Sequence, residues 1–150
     1  MGFEKTIQTP FFTIDIDEDG RGWHFRLDDS IKEKPHKKAL LSYVEAMHER
    51  GAVHINADHC TFPYLDRNVK LNRGGRKLDC VYTYQQRVYE CEIKTEREVG
   101  LNRTWEQVRE QAKYCGQLTL LVPRKKVEYC NGLIKQLGIL NVVVDTYEIN

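Results

Sequence analysis

Apolar and polar residues alternate in the first part of the chain, from Phe11 to Ile16 and again from Trp23 to Leu27. Alternation with a period of two is typical of strands that bury one face. The segment between these runs, Asp17-Glu18-Asp19-Gly20-Arg21-Gly22, is rich in turn-forming residues. The pattern therefore predicts an N-terminal β-hairpin within residues 1–36.

Helical spacing replaces this alternation from Lys37 to Arg50, and Gly51 suits the end of a helix. Ala52 to Asn56 then predicts a short strand, and a polar, irregular stretch runs from Ala57 to Gly75. The apolar residues that carry the helical spacing are Ala39, Leu40, Tyr43, Val44 and Met47.

Two β-rich runs, Lys77 to Tyr84 and Arg87 to Thr95, flank Gln85-Gln86, the natural centre of a tight turn. If these glutamines form the turn, Asp79 lies opposite Glu92, and directly opposed residues point to the same face. Lys94 joins that face by the period of two. The pattern predicts a charged face and, opposite it, an apolar packing face of Leu78, Cys80, Tyr82, Tyr89, Cys91 and Ile93.

The C-terminal part alternates helices and strands. Thr104-Trp105-Glu106-Gln107 has the form of a capping box and predicts a helix that runs to Gly116. Strands are predicted at Gln117 to Val122 and Ile139 to Val144, with a helix from Lys126 to Leu137 between them. Because both strands are almost wholly apolar, we expect them to be covered on both faces and to pair in parallel. The fold class is therefore α/β, with a central mixed β-sheet flanked by helices.

Composition is that of one globular domain. The chain has 150 residues, 41% of them hydrophobic, and 23 Lys+Arg against 22 Asp+Glu give a formal charge of +1. We expect a single domain, with a core at 37–150. The longest apolar runs, Leu118 to Val122 and Val142 to Val144, are far shorter than the roughly 20 residues of a membrane span. Met1-Gly2-Phe3-Glu4-Lys5 lacks an apolar signal segment, so we expect a cytoplasmic protein. A compact stand-alone domain fits a microbial or viral genome.

Five cysteines without a CxxC pair are expected to be small buried hydrophobes in a reducing compartment. A metal site at His54, His59 and Cys60 is the alternative, although no second ligand pair has the spacing of structural zinc. Asp15-Ile16-Asp17-Glu18-Asp19-Gly20 resembles the start of a calcium loop. However, Arg26 occupies its twelfth position, so an acidic hairpin turn is favoured.

The opposed Asp79 and Glu92 carry the candidate chemistry. Two ionised carboxylates roughly 5 Å apart repel each other, and a divalent cation between them removes the conflict. Oxygen ligands suit Mg²⁺ or Mn²⁺. Lys94 on the same face is suited to orient or help deprotonate a water and to stabilise charge on a phosphate. The pattern therefore predicts a divalent-cation site with a lysine beside it.

Asp79 followed by Glu92-Ile93-Lys94 resembles the D…(D/E)xK signature of the PD-(D/E)xK, or restriction-endonuclease-like, nuclease superfamily. Among its members, archaeal Holliday-junction resolvases and related small nucleases are the most similar in size and element order from Lys37 to Val144. The resemblance implies that Asp79, Glu92 and the Ile93 carbonyl bind the metal and that Lys94 serves the hydrolytic water. It also implies that Gln111 supports the site and that the protein forms a homodimer. Family members often supply one further metal-site carboxylate from the first helix; the candidates here are Glu45 and Glu49, and Glu45 is chosen.

The near-zero net charge conceals a basic run next to Asp79. Between Asp66 and Asp79 the chain contains five basic residues and no acidic one, and arginine forks suit phosphate oxygens. We expect salt-sensitive binding of double-stranded or branched DNA; a solvated charged loop is the alternative. The expected nucleic-acid-binding residues are Arg67, Lys70, Arg73, Arg76, Lys77 and Arg97.

The leading hypothesis is a Mg²⁺- or Mn²⁺-dependent deoxyribonuclease. A nuclease-fold module that binds nucleic acid or a protein partner without cutting is the alternative.

Overall fold

The computed structural model of the chain describes residues 5–8, 12–16, 23–27 and 35–149. The strands are β1 (Lys5–Gln8), β2 (Phe12–Ile16), β3 (Trp23–Leu27), β4 (Val53–Ala57), β5 (Asn72–Arg73), β6 (Arg76–Lys77), β7 (Cys80–Tyr84), β8 (Arg87–Ile93), β9 (Leu118–Val122) and β10 (Val142–Thr146). The α-helices are α1 (Pro35–Glu49), α2 (Glu96–Val99), α3 (Asn102–Ala112) and α4 (Val127–Leu137), and a 3₁₀ turn at Arg124–Lys126 precedes α4.

The centre of the fold is a five-stranded mixed sheet with the order β10-β9-β8-β7-β4. β8, β9 and β10 run parallel, whereas β7 is antiparallel to both β8 and β4. The predicted α/β class and the parallel pairing of the last two strands are thus confirmed.

At the N-terminus, β1, β2 and β3 pair antiparallel, with Phe12 opposite Leu27 and Ile16 opposite Trp23. The predicted turn from Asp17 to Gly22, which contains most of the candidate calcium loop, lies outside the described residues. Within the described part of the chain, no helix has the length and apolar character needed to cross a membrane.

The β7–β8 hairpin has the predicted register. Gln85 and Gln86 have φ values of 50° and 67°, the left-handed values that a two-residue hairpin turn requires. Tyr84 pairs with Arg87 and Cys80 with Cys91, so the next opposed pair along the strands is Asp79 and Glu92. Register therefore follows from the length of the turn.

Both faces of the β7–β8 hairpin are covered by helices. The sequence pattern predicted instead that one face packs and the other is charged. On one face α1 contributes Leu40 and Val44 to a core with Tyr82, Cys91 and Ile93. On the other, α3 and α4 cover a second core that contains Trp105, Val108, Leu118, Leu120 and Cys130. The charged residues of the second face consequently lie under α3.

Leu78 was predicted on the first face but belongs to the second core, together with Val81. It precedes β7, and its N–H donates to the Leu71 carbonyl at 2.9 Å, so strand alternation does not extend to it. The predicted burial of β10 is also only partly right. Val143 is 44% exposed, because β10 lies at the edge of the sheet, whereas every residue of β9 is buried.

The start of α3 differs from the prediction. α3 begins at Asn102 after Leu101 and ends at Ala112, so Thr104 is not its N-cap. The capping box belongs to the preceding short helix α2, where the Thr95 N–H donates to Glu98 Oε1 at 3.0 Å. Gly138 ends α4 in the left-handed conformation, as its sequence position indicates.

Candidate active site

Asp79 and Glu92 lie at the edge of the sheet where β8 and β9 end. Asp79 directly precedes β7, and Glu92 is the last but one residue of β8. The Ile93 N–H donates to Asp79 Oδ2 at 2.7 Å, and the Asp79 N–H donates to Glu92 Oε1 at 3.0 Å. Each carboxylate is therefore held by the backbone of the opposite strand, which fixes both side chains.

Lys94 and Gln111 complete the surroundings of Glu92. Lys94 Nζ lies 3.6 Å from Glu92 Oε2, and the Gln111 amide donates to Glu92 Oε1 at 3.2 Å. Lys94 follows β8 and continues its pairing with β9, since its N–H donates to the Leu121 carbonyl. The structure thus brings together four of the predicted catalytic residues, and α3 supplies Gln111 from above the sheet.

Two neighbouring carboxylates dominate the electrostatics of this cluster, and Lys94 opposes their effect only in part. Burial and the nearby charge of Asp79 raise the pKa of Glu92 to about 8, against the opposing effects of Lys94 and the hydrogen bonds. The Asp79 side chain is 12% exposed and the Glu92 side chain 8%. Two ionised carboxylates cannot coexist here without cost, so a positive charge between them would be stabilising.

His36 is a site residue that the sequence pattern did not reveal. It lies in the first turn of α1, and its Nε2 is 3.1 Å from Asp79 Oδ2. Burial lowers the pKa of His36, but the hydrogen bond and the charge of Asp79 outweigh burial and raise it above the usual value. No local signal connects two residues so distant in sequence, because the contact depends on how α1 packs against the sheet.

Glu45, the predicted helix acid, is not brought to this cluster. It lies nine positions beyond His36, which corresponds to roughly 14 Å along a helix axis. Its charge instead acts on Tyr64, whose pKa burial raises to about 12 with a contribution from Glu45. The start of α1, rather than its middle, reaches Asp79, so His36 takes the place expected for Glu45.

A cleft of about 510 Å³ opens beside Asp79. Its wall contains basic side chains from α1, α2 and α3, namely Lys37, Arg97 and Arg103, and also His36 and His59. Cavities of several hundred cubic ångströms are typical of ligand sites. The predicted role of Arg97 at an anionic ligand is compatible with this position.

Two arginines of the basic run before Asp79 make hydrogen bonds within the chain. The Arg67 guanidinium donates to Asn56 Oδ1 at 2.9 Å and to the carbonyls of Ala57 and Cys60. Arg73 pairs with Glu90 at 2.7 Å and donates to two carbonyls of its own loop. Both guanidinium groups thus hold the chain in place, and the nucleic-acid role of Arg67 and Arg73 stays a prediction. Arg73 is half-buried, whereas Arg67, Lys70, Arg76 and Lys77 are exposed.

The β5–β6 hairpin presents Arg76 and Lys77 in a fixed position. Gly74, at its tip, has a φ of 63° and packs directly beneath the ring of Tyr114, with no room for a Cβ atom. Arg73 ties the same hairpin to β8 through Glu90, which also accepts the Gly116 N–H. The hairpin is therefore anchored next to the end of α3, the helix that carries Gln111.

The donor set suits a hard divalent cation. Two carboxylates and main-chain oxygens match Mg²⁺ or Mn²⁺, which retain several waters and need few protein ligands. Among the residues described, no group of three His, Cys, Asp or Glu side chains has metal-binding geometry, so a closed, all-protein cage is not formed. Of the alternative zinc ligands, His54 pairs with Asp66, His59 pairs with Asp58, and Cys60 is buried.

Comparisons of the chain with protein-family models, with curated proteins and with solved structures found no match. The chain's own residues and geometry are therefore the basis for its functional assignment.

Proposed function

We propose that this chain is a metal-dependent nuclease that hydrolyses DNA phosphodiester bonds. The observation that carries the proposal is the opposed pair Asp79 and Glu92, buried together with Lys94. Of these three, Asp79 lines a cleft whose wall also contains Lys37, Arg97, Glu98 and Arg103. Burying two carboxylates side by side lowers the stability of a folded chain. Such arrangements are concentrated at functional sites.

The order of elements supports the same proposal. From α1 the chain continues through β4, the β7–β8 hairpin, α3 and β9, with β8 parallel to β9. This order is the one in which the sequence resembles the restriction-endonuclease-like core. In our proposal the N-terminal strands extend that core.

The metal ligands would be Asp79, Glu92 and the Ile93 carbonyl. A bound Mg²⁺ or Mn²⁺ ion would supply Lewis-acid stabilisation of the charge that develops on the phosphate oxygens. The backbone hydrogen bonds to both carboxylates hold these ligands in position before a substrate arrives. Gln111 keeps Glu92 oriented through its amide.

Lys94 is assigned to the attacking water. Its ammonium group, 3.6 Å from Glu92 Oε2, is close enough to orient a water beside the carboxylates and to stabilise negative charge on the phosphate. On the substrate side, Arg97, Arg103 and Lys37 would neutralise phosphates within the cleft. Lys70, Arg76 and Lys77 would hold a more distant part of the DNA.

Digestion of supercoiled plasmid and of branched DNA with Mg²⁺ or Mn²⁺ tests this function. We expect cleavage by the wild type and none by Asp79→Asn or Lys94→Met, which preserve side-chain size. Lys135→Met, an exposed lysine in the last turn of α4, is the matched control and should cut normally. Equal cleavage by all four proteins would contradict the assignment of the site. No cleavage of any DNA form would favour the non-catalytic binding module.

A further inference from the structure

His59 and Lys94 lie on opposite sides of Asp79 along the edge of the sheet. β7 lies between β8 and β4; Lys94 follows β8, Asp79 precedes β7, and His59 follows β4. The Asp58 N–H donates to the Asp79 carbonyl at 2.9 Å, which continues the β4–β7 pairing beyond Ala57. The register places Asp58 and Glu92 opposite Asp79 on its two sides, so His59 and Lys94 lie one and two residues beyond the residues that face it.

The conformation of His59 is fixed by its neighbour. Its backbone has a φ of 57°, its N–H donates to Asp58 Oδ1 at 3.1 Å, and its ring Nε2 lies 3.3 Å from Asp58 Oδ2. Non-glycine residues with positive φ are uncommon and concentrate at functional sites. The ring lines the same cleft as Asp79.

Phosphodiester hydrolysis needs a proton donor on the side away from the attacking water. In an in-line displacement the attacking and leaving oxygens are on opposite sides of phosphorus. If Lys94 serves the water, the leaving oxygen faces the β4 side. Among the kinds of basic side chain that line the cleft, imidazole is the one suited to donate a proton near neutral pH. His36 contacts Asp79, a proposed metal ligand, through its Nε2, whereas the Nε2 of His59 faces Asp58, which is not one.

We propose that His59 is the general acid for the leaving group, an inference that rests on the proposed nuclease function. Water forms a bond to phosphorus and releases a proton to solvent, and the bond from phosphorus to the leaving oxygen breaks. The His59 imidazolium gives its Nδ1 proton to that oxygen and becomes neutral. Asp58 holds the ring in position through its contact with Nε2.

A substrate with sulfur in place of the leaving oxygen tests this role, because a thiolate departs without being protonated. The leaving oxygen is identified from the ends of the wild-type products. His59→Asn removes the acid and tolerates positive φ. The matched control is His54→Asn: His54 also has positive φ (50°), pairs with Asp66 at 3.5 Å and is exposed, but it does not line the cleft.

We expect His59→Asn to cut the oxygen substrate roughly a hundredfold or more slowly than the wild type and the sulfur substrate at nearly the wild-type rate. Its melting temperature and Mn²⁺ affinity should match those of the wild type, and His54→Asn should cut both substrates normally. Equal slowing on both substrates, or slowing on neither, would overturn the role of His59. Failure of the wild type to cut either substrate would overturn the proposed function and this inference with it.

Discussion

Asp79 and Glu92 each accept a hydrogen bond from the backbone of the other's strand, at 2.7 Å from the Ile93 N–H and 3.0 Å from the Asp79 N–H. This reciprocal arrangement holds two repelling carboxylates side by side at the end of a hairpin. The same two carboxylates therefore stabilise the fold and form the candidate metal site. Substitutions must distinguish their effect on stability from their effect on metal binding.

Asp79→Ala and Asp79→Asn separate the hydrogen bond from the charge. Both remove the negative charge, but only asparagine retains an oxygen that can accept the buried Ile93 N–H. We expect the free energy of unfolding of Asp79→Ala to be about 1–3 kcal/mol below that of Asp79→Asn. Denaturant unfolding of the two proteins provides the measurement, and equal stabilities would show that this hydrogen bond contributes nothing.

The stability of the metal-free protein should depend on Glu92. Burial and Asp79 raise its pKa from 4.5 to about 8, so between these values the folded chain holds a proton that the unfolded chain has lost. The free energy of unfolding should therefore fall as the pH rises across this window, by at most about 1.4 kcal/mol per pH unit, and level off above it.

Urea unfolding with a chelator at pH values from 5 to about 9 measures this slope. Glu92→Gln does not titrate and retains an acceptor for the Asp79 N–H, so its stability should fall less steeply. Parallel pH profiles for the two proteins would mean that Glu92 ionises normally in the folded state.

Arg73 and Arg76 should have different roles although they belong to one basic run. Arg73→Ala breaks a partly buried ion pair with Glu90 and should lower the free energy of unfolding by about 1–3 kcal/mol. Arg76→Ala should leave stability unchanged, weaken DNA binding, and reduce the slope of log affinity against log salt by about 1. Fluorescence anisotropy over a salt series, combined with urea unfolding, distinguishes them; an unstable Arg76→Ala would contradict this division.

Gly74→Ala should destabilise the β5–β6 hairpin for two reasons, a positive φ and a clash with the ring of Tyr114. Gly75→Ala tests the effect of the positive φ alone. Gly75 has a φ of 87°, and no atom lies within 4 Å of the position that an alanine Cβ would take there. We expect Gly74→Ala to cost about 1–3 kcal/mol more than Gly75→Ala, and to cost less when Tyr114 is also alanine. Equal costs in thermal unfolding would mean that the Tyr114 ring moves aside freely.

Turn length and side-chain periodicity predict much of the site from the sequence. The two-residue turn at Gln85-Gln86 sets the register, and register places Asp79 opposite Glu92. The helical spacing around Trp105 likewise orients Gln111 toward the sheet, where it reaches Glu92. The error at Thr104 arose because two nearby segments both have capping-box form, and only packing decides that Thr95 and Glu98 form it.

By itself, therefore, the sequence determined the α/β class, the hairpin register and the grouping of Asp79, Glu92, Lys94 and Gln111. Tertiary structure alone decided that His36 rather than Glu45 reaches Asp79, that His59 lies beside the cleft, and that Arg67 and Arg73 are structural. The physical reason is distance along the chain. Turn length and side-chain periodicity fix contacts between neighbouring strands, whereas contacts between remote segments depend on how helices and loops pack against the sheet.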